Sequence, residues 1–199
     1  GGTTWHAGAQ VDAGTNEAQI VELADGRLLM SARQNVGGSR KFAISTDQGA
    51  TWGPTFNAFN STAVMEGVER YTLAGSQDET VDRLLHTLPV GGPVGARTNL
   101  EVMTATDERT SSSPTFANPR RIIHGWAGYS DLVNIDGNQV GLLWERGDTG
   151  QHQRITYSRL NRDFLEPHGA QFGLIAHEGF GYAAGQTLAH VGAPESSQG

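Results

Sequence analysis

Residues 45–52 read Ser-Thr-Asp-Gln-Gly-Ala-Thr-Trp, and no other stretch of the chain restricts its fold so tightly. A Ser and an Asp two positions apart offer side-chain oxygens to the amides of a turn, and the Gly that follows supplies a positive φ. The closing Trp has an apolar strand edge to pack beneath. The pattern therefore specifies a hairpin. Its closing Gly-x-Thr-Trp recurs in Gly2-Thr3-Thr4-Trp5, 47 positions upstream. A degenerate copy runs from Asp107 to Pro114 with the same Asp-to-Pro offset as Asp47 to Pro54, but without its Gly and Trp. A hairpin element repeated at this period implies a fold assembled from similar units, none able to bury its faces alone.

Strand-like runs fall into the same rhythm. The first group covers 16–24, 27–34 and 40–46, with Asp25-Gly26 at its first turn. The second covers 67–74, 82–90 and 98–106. The third covers 128–135, 139–146 and 154–160, turning first at Asp136-Gly137-Asn138. Ile20, Val21, Leu23, Leu28, Leu29 and Met30 give the first hairpin apolar residues on both faces, as in a sheet covered on both sides. No segment reads as a long amphipathic helix. The composition agrees: 27 glycines and only 18% charged residues suit short strands and tight turns. Antiparallel groups recurring every ~45 to 60 residues predict an all-β chain, a partial β-propeller of about three blades, with a sandwich as the fallback. Residues 1–165 make up this unit. Residues 166–199, rich in Gly, Ala and His with a polar end, are expected to be a linker or disordered tail.

Charge and cysteine content narrow the chemistry. The net charge of −7 disfavours nucleic acid as a partner, and it would not attract an anionic substrate, so any anion site must be built from local arginines. The absence of cysteine excludes a disulfide framework and thiolate metal sites. No apolar run is long enough for a membrane span. The seven histidines show no metal-ligand spacing, so no metal or other cofactor is expected, and His6, His86, His124, His152, His168, His177 and His190 read as surface or core residues.

Two hairpins carry polar pairs placed symmetrically about their turns. Glu17 and Arg33 lie sixteen residues apart around Asp25-Gly26, and Tyr129 and Glu145 lie sixteen apart around Gly137. Positions equidistant from an antiparallel turn are cross-strand neighbours, so each pair should meet at the open end of its hairpin. On these residues alone, rim ion pairs worth ~0 to 1 kcal/mol explain the pattern more simply than a site does. Trp126 and Trp144 read as packing residues, and Arg40, Arg70, Arg120, Arg121 and Arg146 as solvated or paired.

Five segments, in order and spacing, resemble the bacterial-type exo-sialidase (neuraminidase) family, whose propellers carry the Ser-x-Asp-x-Gly-x-Thr-Trp element as an Asp-box or BNR repeat. They are Asn16-Glu17-Ala18-Gln19 with Ser31-Ala32-Arg33, Arg97-Thr98-Asn99-Leu100, Gly128-Tyr129-Ser130-Asp131-Leu132, and Leu142-Leu143-Trp144-Glu145-Arg146-Gly147. The match covers residues 1 to about 165. The resemblance implies a six-bladed propeller of which this chain supplies the C-terminal half of the catalytic domain. It implies Tyr129 as nucleophile, Glu17 as its base, Arg33 and Arg97 as two of three arginines that bind the substrate carboxylate, and Glu145 as the residue that orients the third. The family's first arginine and its aspartate acid/base belong to motifs not found here, so isolated activity is not expected.

Those roles suit the chemistry. Sialic acid carries a carboxylate on its anomeric carbon, which would repel a carboxylate nucleophile. A neutral phenol avoids the repulsion, and a Tyr nucleophile is the sialidase exception to the two-carboxylate scheme of glycosidases. Because an unperturbed tyrosine titrates near ~10, it needs a base such as Glu17 and nearby guanidinium charge. Arginine suits the carboxylate clamp through its fork of parallel donors. The expected substrates are sialylated glycans, glycoproteins or glycolipids, cleaved with retention. The alternative is a sialoglycan-binding or structural propeller without catalysis. An extracellular or cell-surface location is expected of the parent protein.

Overall fold

The computed structural model describes residues 2–36, 38–76, 79–91, 96–136, 138–166 and 174–179, the last six through their backbone. Among the described residues, twelve strands form three four-stranded antiparallel sheets, each a meander. The first sheet contains β1 (Thr15–Glu22), β2 (Leu28–Gln34), β3 (Lys41–Ser45) and β4 (Phe56–Asn57). The second contains β5 (Val68–Thr72), β6 (Arg83–Pro89), β7 (Leu100–Ala105) and β8 (Ala117–Arg121). The third contains β9 (Trp126–Asn134), β10 (Gln139–Gly147), β11 (Arg154–Asn161) and β12 (Leu174–Gly179). One helical turn, α1 (Arg162–Leu165), is capped by Asn161, whose side chain accepts the Phe164 amide.

The sheets pack face to face in series. Val21, Leu23, Leu29 and Phe42 of the first meet Val68, Leu84 and Ala105 of the second. Tyr71, Leu85, Leu100 and Val102 of the second meet Leu132, Val140, Leu142 and Trp144 of the third. The first strand of each sheet lies next to that of its neighbour, β1 against β5 and β5 against β9. This radial arrangement, with every sheet starting at the inside, is that of propeller blades.

The repeated hairpin element closes the β3–β4 connection. Asp47 accepts the Thr51 amide and hydroxyl at 2.8 and 2.6 Å, while Ser45 Oγ donates to Asp47 at 2.8 Å and accepts the Gly49 amide at 2.9 Å. Gly49 has φ of 87°, which an L side chain rarely adopts. The Asp107 segment occupies the corresponding β7–β8 connection, where Asp107 accepts from Ser111 and from the Thr115 amide.

The nine strands expected from sequence are present, and each sheet adds a fourth. Residues 174–179 lie in the stretch expected to be a linker, yet they pair with β11 as β12, at the position that β4 and β8 hold in the other sheets. Their short Leu-Ile-Ala run was masked by the surrounding Gly, Ala and His. Of the rest of 166–199, only Glu166 is among the described residues. The first hairpin is also less enclosed than expected: Ile20 is 53% exposed, because among the described residues only the second sheet packs on the first.

Candidate active site

Both singled-out hairpins are bulged at the residues of interest. The β1/β2 ladder runs from Glu22↔Leu28 to Ala18↔Ala32, then shifts to Thr15↔Gln34, so Asn16 and Glu17 together oppose Arg33. The β9/β10 ladder shifts between Ser130↔Trp144 and Ala127↔Arg146, so Gly128 and Tyr129 share Glu145. A bulge bends its strand and re-aims the side chains it carries. Because β1 and β9 are both innermost strands, the two bulges turn their side chains towards one another.

Four of the expected residues converge. Arg33 Nη1 donates to Glu17 Oε2 at 2.7 Å and to the Tyr129 phenol oxygen at 3.0 Å. The Tyr129 hydroxyl donates to the other Glu17 oxygen. Arg97 holds its guanidinium 5.4 Å from the centre of the Tyr129 ring, where the ring quadrupole favours a cation, and donates to the Ala63 carbonyl at 3.2 Å. Glu145, the fifth, touches the backbone of Tyr129: its Oε2 accepts the Tyr129 amide at 2.9 Å and lies 3.1 Å from His152 Nδ1. Gly128 leaves room for this bond, since a Cβ there would overlap Glu145 Oε2 and displace the carboxylate.

The charges set where protons rest. Burial pushes the Glu17 carboxyl up, but hydrogen bonds from Tyr129 and Arg33 and the charges of Arg33 and Arg97 outweigh it and hold the group below the ordinary range. Its bond to Glu17, then burial and the Glu17 charge, push the Tyr129 phenol up against the pull of the two arginines. At neutral pH the proton therefore sits on Tyr129 and Glu17 is ionised. Arg33 is held more firmly protonated by Glu17.

Several contributors carried no assignable sequence signal. Gln19, two residues beyond Glu17 on β1, accepts the Val68 amide at 2.7 Å and donates to Asp131, two residues beyond Tyr129 on β9. One side chain thus ties the inner strands of all three sheets. His152, on the β10–β11 turn and 58% exposed, caps Glu145. Arg40, read as solvated or paired, is fully buried against Glu66. Trp144 packs in the core as expected, whereas Trp126 is partly exposed. A cavity of about 260 Å³ adjoins the site, with Gln19, Met65, Tyr129, Asp131, Leu143 and Glu145 among its walls. Among the described residues no cluster of His, Asp or Glu is arranged to hold a metal ion, and no helix is long and apolar enough to cross a membrane.

No protein-family model matches the chain. It is 29% identical over 176 residues to the sialidase of Micromonospora viridifaciens, covering 82% of this chain and 24% of that protein. It is 30% identical over 147 residues to the sialidase of Bacteroides fragilis, covering 73% of this chain and 26% of the relative. The chain thus spans about a quarter of the length of these curated relatives. Among solved structures, the Hadza microbial sialidase Hz136 aligns with a TM-score of 0.68 at 24% identity, over 83% of this chain and 31% of that one. The NanB sialidase of Streptococcus pneumoniae aligns at 0.69 and 19% identity, over 83% and 26%. The structural likeness fixes a sialidase β-propeller fold, and together with the curated sequence matches it places this chain in the bacterial sialidase family.

Proposed function

We propose that this chain carries the nucleophile side of a retaining exo-α-sialidase site. The observation that supports the reading is the Tyr129 hydroxyl held between Glu17 and Arg33, with Arg97 over its ring. Arg33 and Arg97 would clamp the carboxylate of a terminal sialic acid, which presents the anomeric carbon to Tyr129. As the phenol oxygen attacks, its proton passes to Glu17 and the bond to the aglycone breaks. The departing oxygen takes a proton from a general acid, which the family resemblance assigns to an aspartate of a motif not found in this chain. Water, giving its proton to that aspartate now acting as base, then displaces the tyrosine oxygen from the glycosyl-tyrosine, Glu17 returns its proton to the phenolate, and two inversions give net retention. Glu145 would orient a third arginine while fixing the Tyr129 backbone. Sialylated glycans, glycoproteins or glycolipids are the substrate class.

The test uses the full-length polypeptide with a fluorogenic sialoside. Tyr129→Phe keeps the ring and removes the attacking oxygen, so turnover should fall roughly 100-fold or more. Unchanged kinetics would refute the assignment. Sialoside binding without hydrolysis by the unsubstituted protein would replace it with a glycan-binding role.

A further inference from the structure

Below the site lies a closed polar cluster that the reaction above does not use. Ser31 of β2, Arg40, Glu66 and His86 of β6 are each between 0 and 1% exposed. Arg40 Nε donates to Ser31 Oγ at 2.8 Å and Nη1 to the Val64 carbonyl at 3.0 Å. Ser31 Oγ lies 2.8 Å from His86 Nε2, and His86 Nδ1 lies 3.1 Å from the Thr87 carbonyl, so Nδ1 carries the imidazole proton and Ser31 donates to Nε2. Glu66 Oε1 accepts from Ser61. Its Oε2 has no hydrogen-bond partner, and its ionic neighbour is Arg40 Nε at 3.6 Å.

The cluster is joined to the site by backbone and by charge. Segment 63–66, which Arg40 holds, passes between the reacting groups: the Ala63 carbonyl accepts from Arg97, and the Met65 carbonyl accepts the Ser130 amide, next to Tyr129. Ser31 precedes Arg33 by two positions on the same strand. The charges of Glu17 and Arg33 in turn reach Arg40.

Resting on the sialoside reading, we propose that Glu66 and Arg40 are positioning residues that set the charge of the anion site. Ionised Glu66 cancels Arg40, whereas protonated Glu66 leaves Arg40 as an uncompensated cation within electrostatic reach of Glu17 and Arg33, the two residues that bond the Tyr129 hydroxyl. The groups facing Glu66 are Arg40, His86 at 3.8 Å and Ser61. His86 does not counter the switch, because burial and the Arg40 charge hold it well below its ordinary value and so neutral. Burial raises Glu66 to about 7 against the opposing pull of Arg40 and Ser61. As pH falls through that value the site gains one positive charge, which strengthens carboxylate binding and favours the Tyr129 phenolate.

The test is made on the full-length polypeptide with Glu66→Gln, which is nearly isosteric and never ionises. The substrate-free readout is the ultraviolet titration of Tyr129, taken as the difference from Tyr129→Phe. At alkaline pH the unsubstituted protein has Arg40 cancelled and the variant does not, so Tyr129 should titrate lower in Glu66→Gln, by about half a pH unit or more. The double replacement Glu66→Gln with Arg40→Met, which removes both charges, should return Tyr129 to its original titration and separates charge from packing. The second readout is the pH dependence of sialic acid affinity. Affinity should weaken roughly three-fold or more across neutral pH in the unsubstituted protein and stay flat in Glu66→Gln. Identical Tyr129 titrations in the two proteins overturn the inference. A shifted titration with no sialoside binding by either protein overturns the sialidase reading and leaves the electrostatic coupling in place.

Discussion

Replacing Gln19 by alanine would test whether one side chain aligns the three inner strands. Gln19 accepts the amide of Val68, a buried residue, and donates to Asp131, which is exposed. Water can replace the second bond, so its loss is expected to cost little. The first leaves a backbone amide between packed sheets with no acceptor, a cost of about 1 to 3 kcal/mol beyond the ~1 kcal/mol of the bond itself. The sum is about 2 to 4 kcal/mol. With a urea m-value of about 2 to 3 kcal/mol/M for a chain of this size, the unfolding midpoint should fall by about 1 M at unchanged m. Gln19→Glu sharpens the test. It keeps the acceptor for Val68 but sets a second carboxylate against Asp131, so it should be destabilising at neutral pH and recover as the carboxylates protonate in acid. Tryptophan fluorescence during urea titration reports both variants. A midpoint shift below about 0.3 M for Gln19→Ala, or a pH-independent Gln19→Glu, would refute the inferred tie between the sheets.

Two further outcomes are expected. Gly128→Ala forces Glu145 off the Tyr129 amide, because a Cβ there overlaps Glu145 Oε2, so sialoside turnover should fall about 10-fold or more while the unfolding midpoint moves less than for Gln19→Ala; wild-type turnover would show the contact to be dispensable. Glu66 also makes stability depend on pH: its carboxyl, raised from an ordinary 4.5 to about 7, contributes fully below pH 4.5, and that contribution is lost as pH rises through 7. The loss amounts to about 3 kcal/mol at ~1.4 kcal/mol per unit, measured by denaturation at a series of pH values. Glu66→Gln should remove this slope, and a slope that survives the substitution would assign it to other groups.

The inner three strands of each sheet were legible because their apolar runs are bounded by Asp-Gly or similar turns, and the hairpin element because its residues bond one another locally. The fourth strands were not. β4 has two residues, and β8 runs Ala-Asn-Pro-Arg-Arg with no alternation, since an outer strand needs little burial to pair with a ready edge. The convergence of Glu17, Arg33, Arg97 and Tyr129 followed from family resemblance; spacing alone supported cross-strand pairs within each hairpin and equally well described rim ion pairs. The bulges at Glu17 and Tyr129 were hidden too, because one extra residue leaves no mark in composition. Arg40 and Glu66 were the least legible: nothing local distinguishes a charge destined for the interior, and their burial is decided by the meeting of β2, β6 and segment 63–66.

On the proposed reaction, the resting protonation pattern is the less reactive one, and the geometry explains how binding would change it. Glu17 is a weak base at rest because Tyr129 and Arg33 both donate to it, and Tyr129 is a weak acid because it donates to an ionised Glu17. Arg33 Nη1 is shared between these two groups. A substrate carboxylate competes for the same guanidinium, and each donor it draws away from Glu17 raises the proton affinity of that carboxylate. The base would therefore strengthen only when the anomeric carbon is in place. This makes a free phenolate unnecessary before binding and couples proton transfer to attack, so that Arg33→Lys, which keeps the charge but loses the fork, should harm turnover more than affinity.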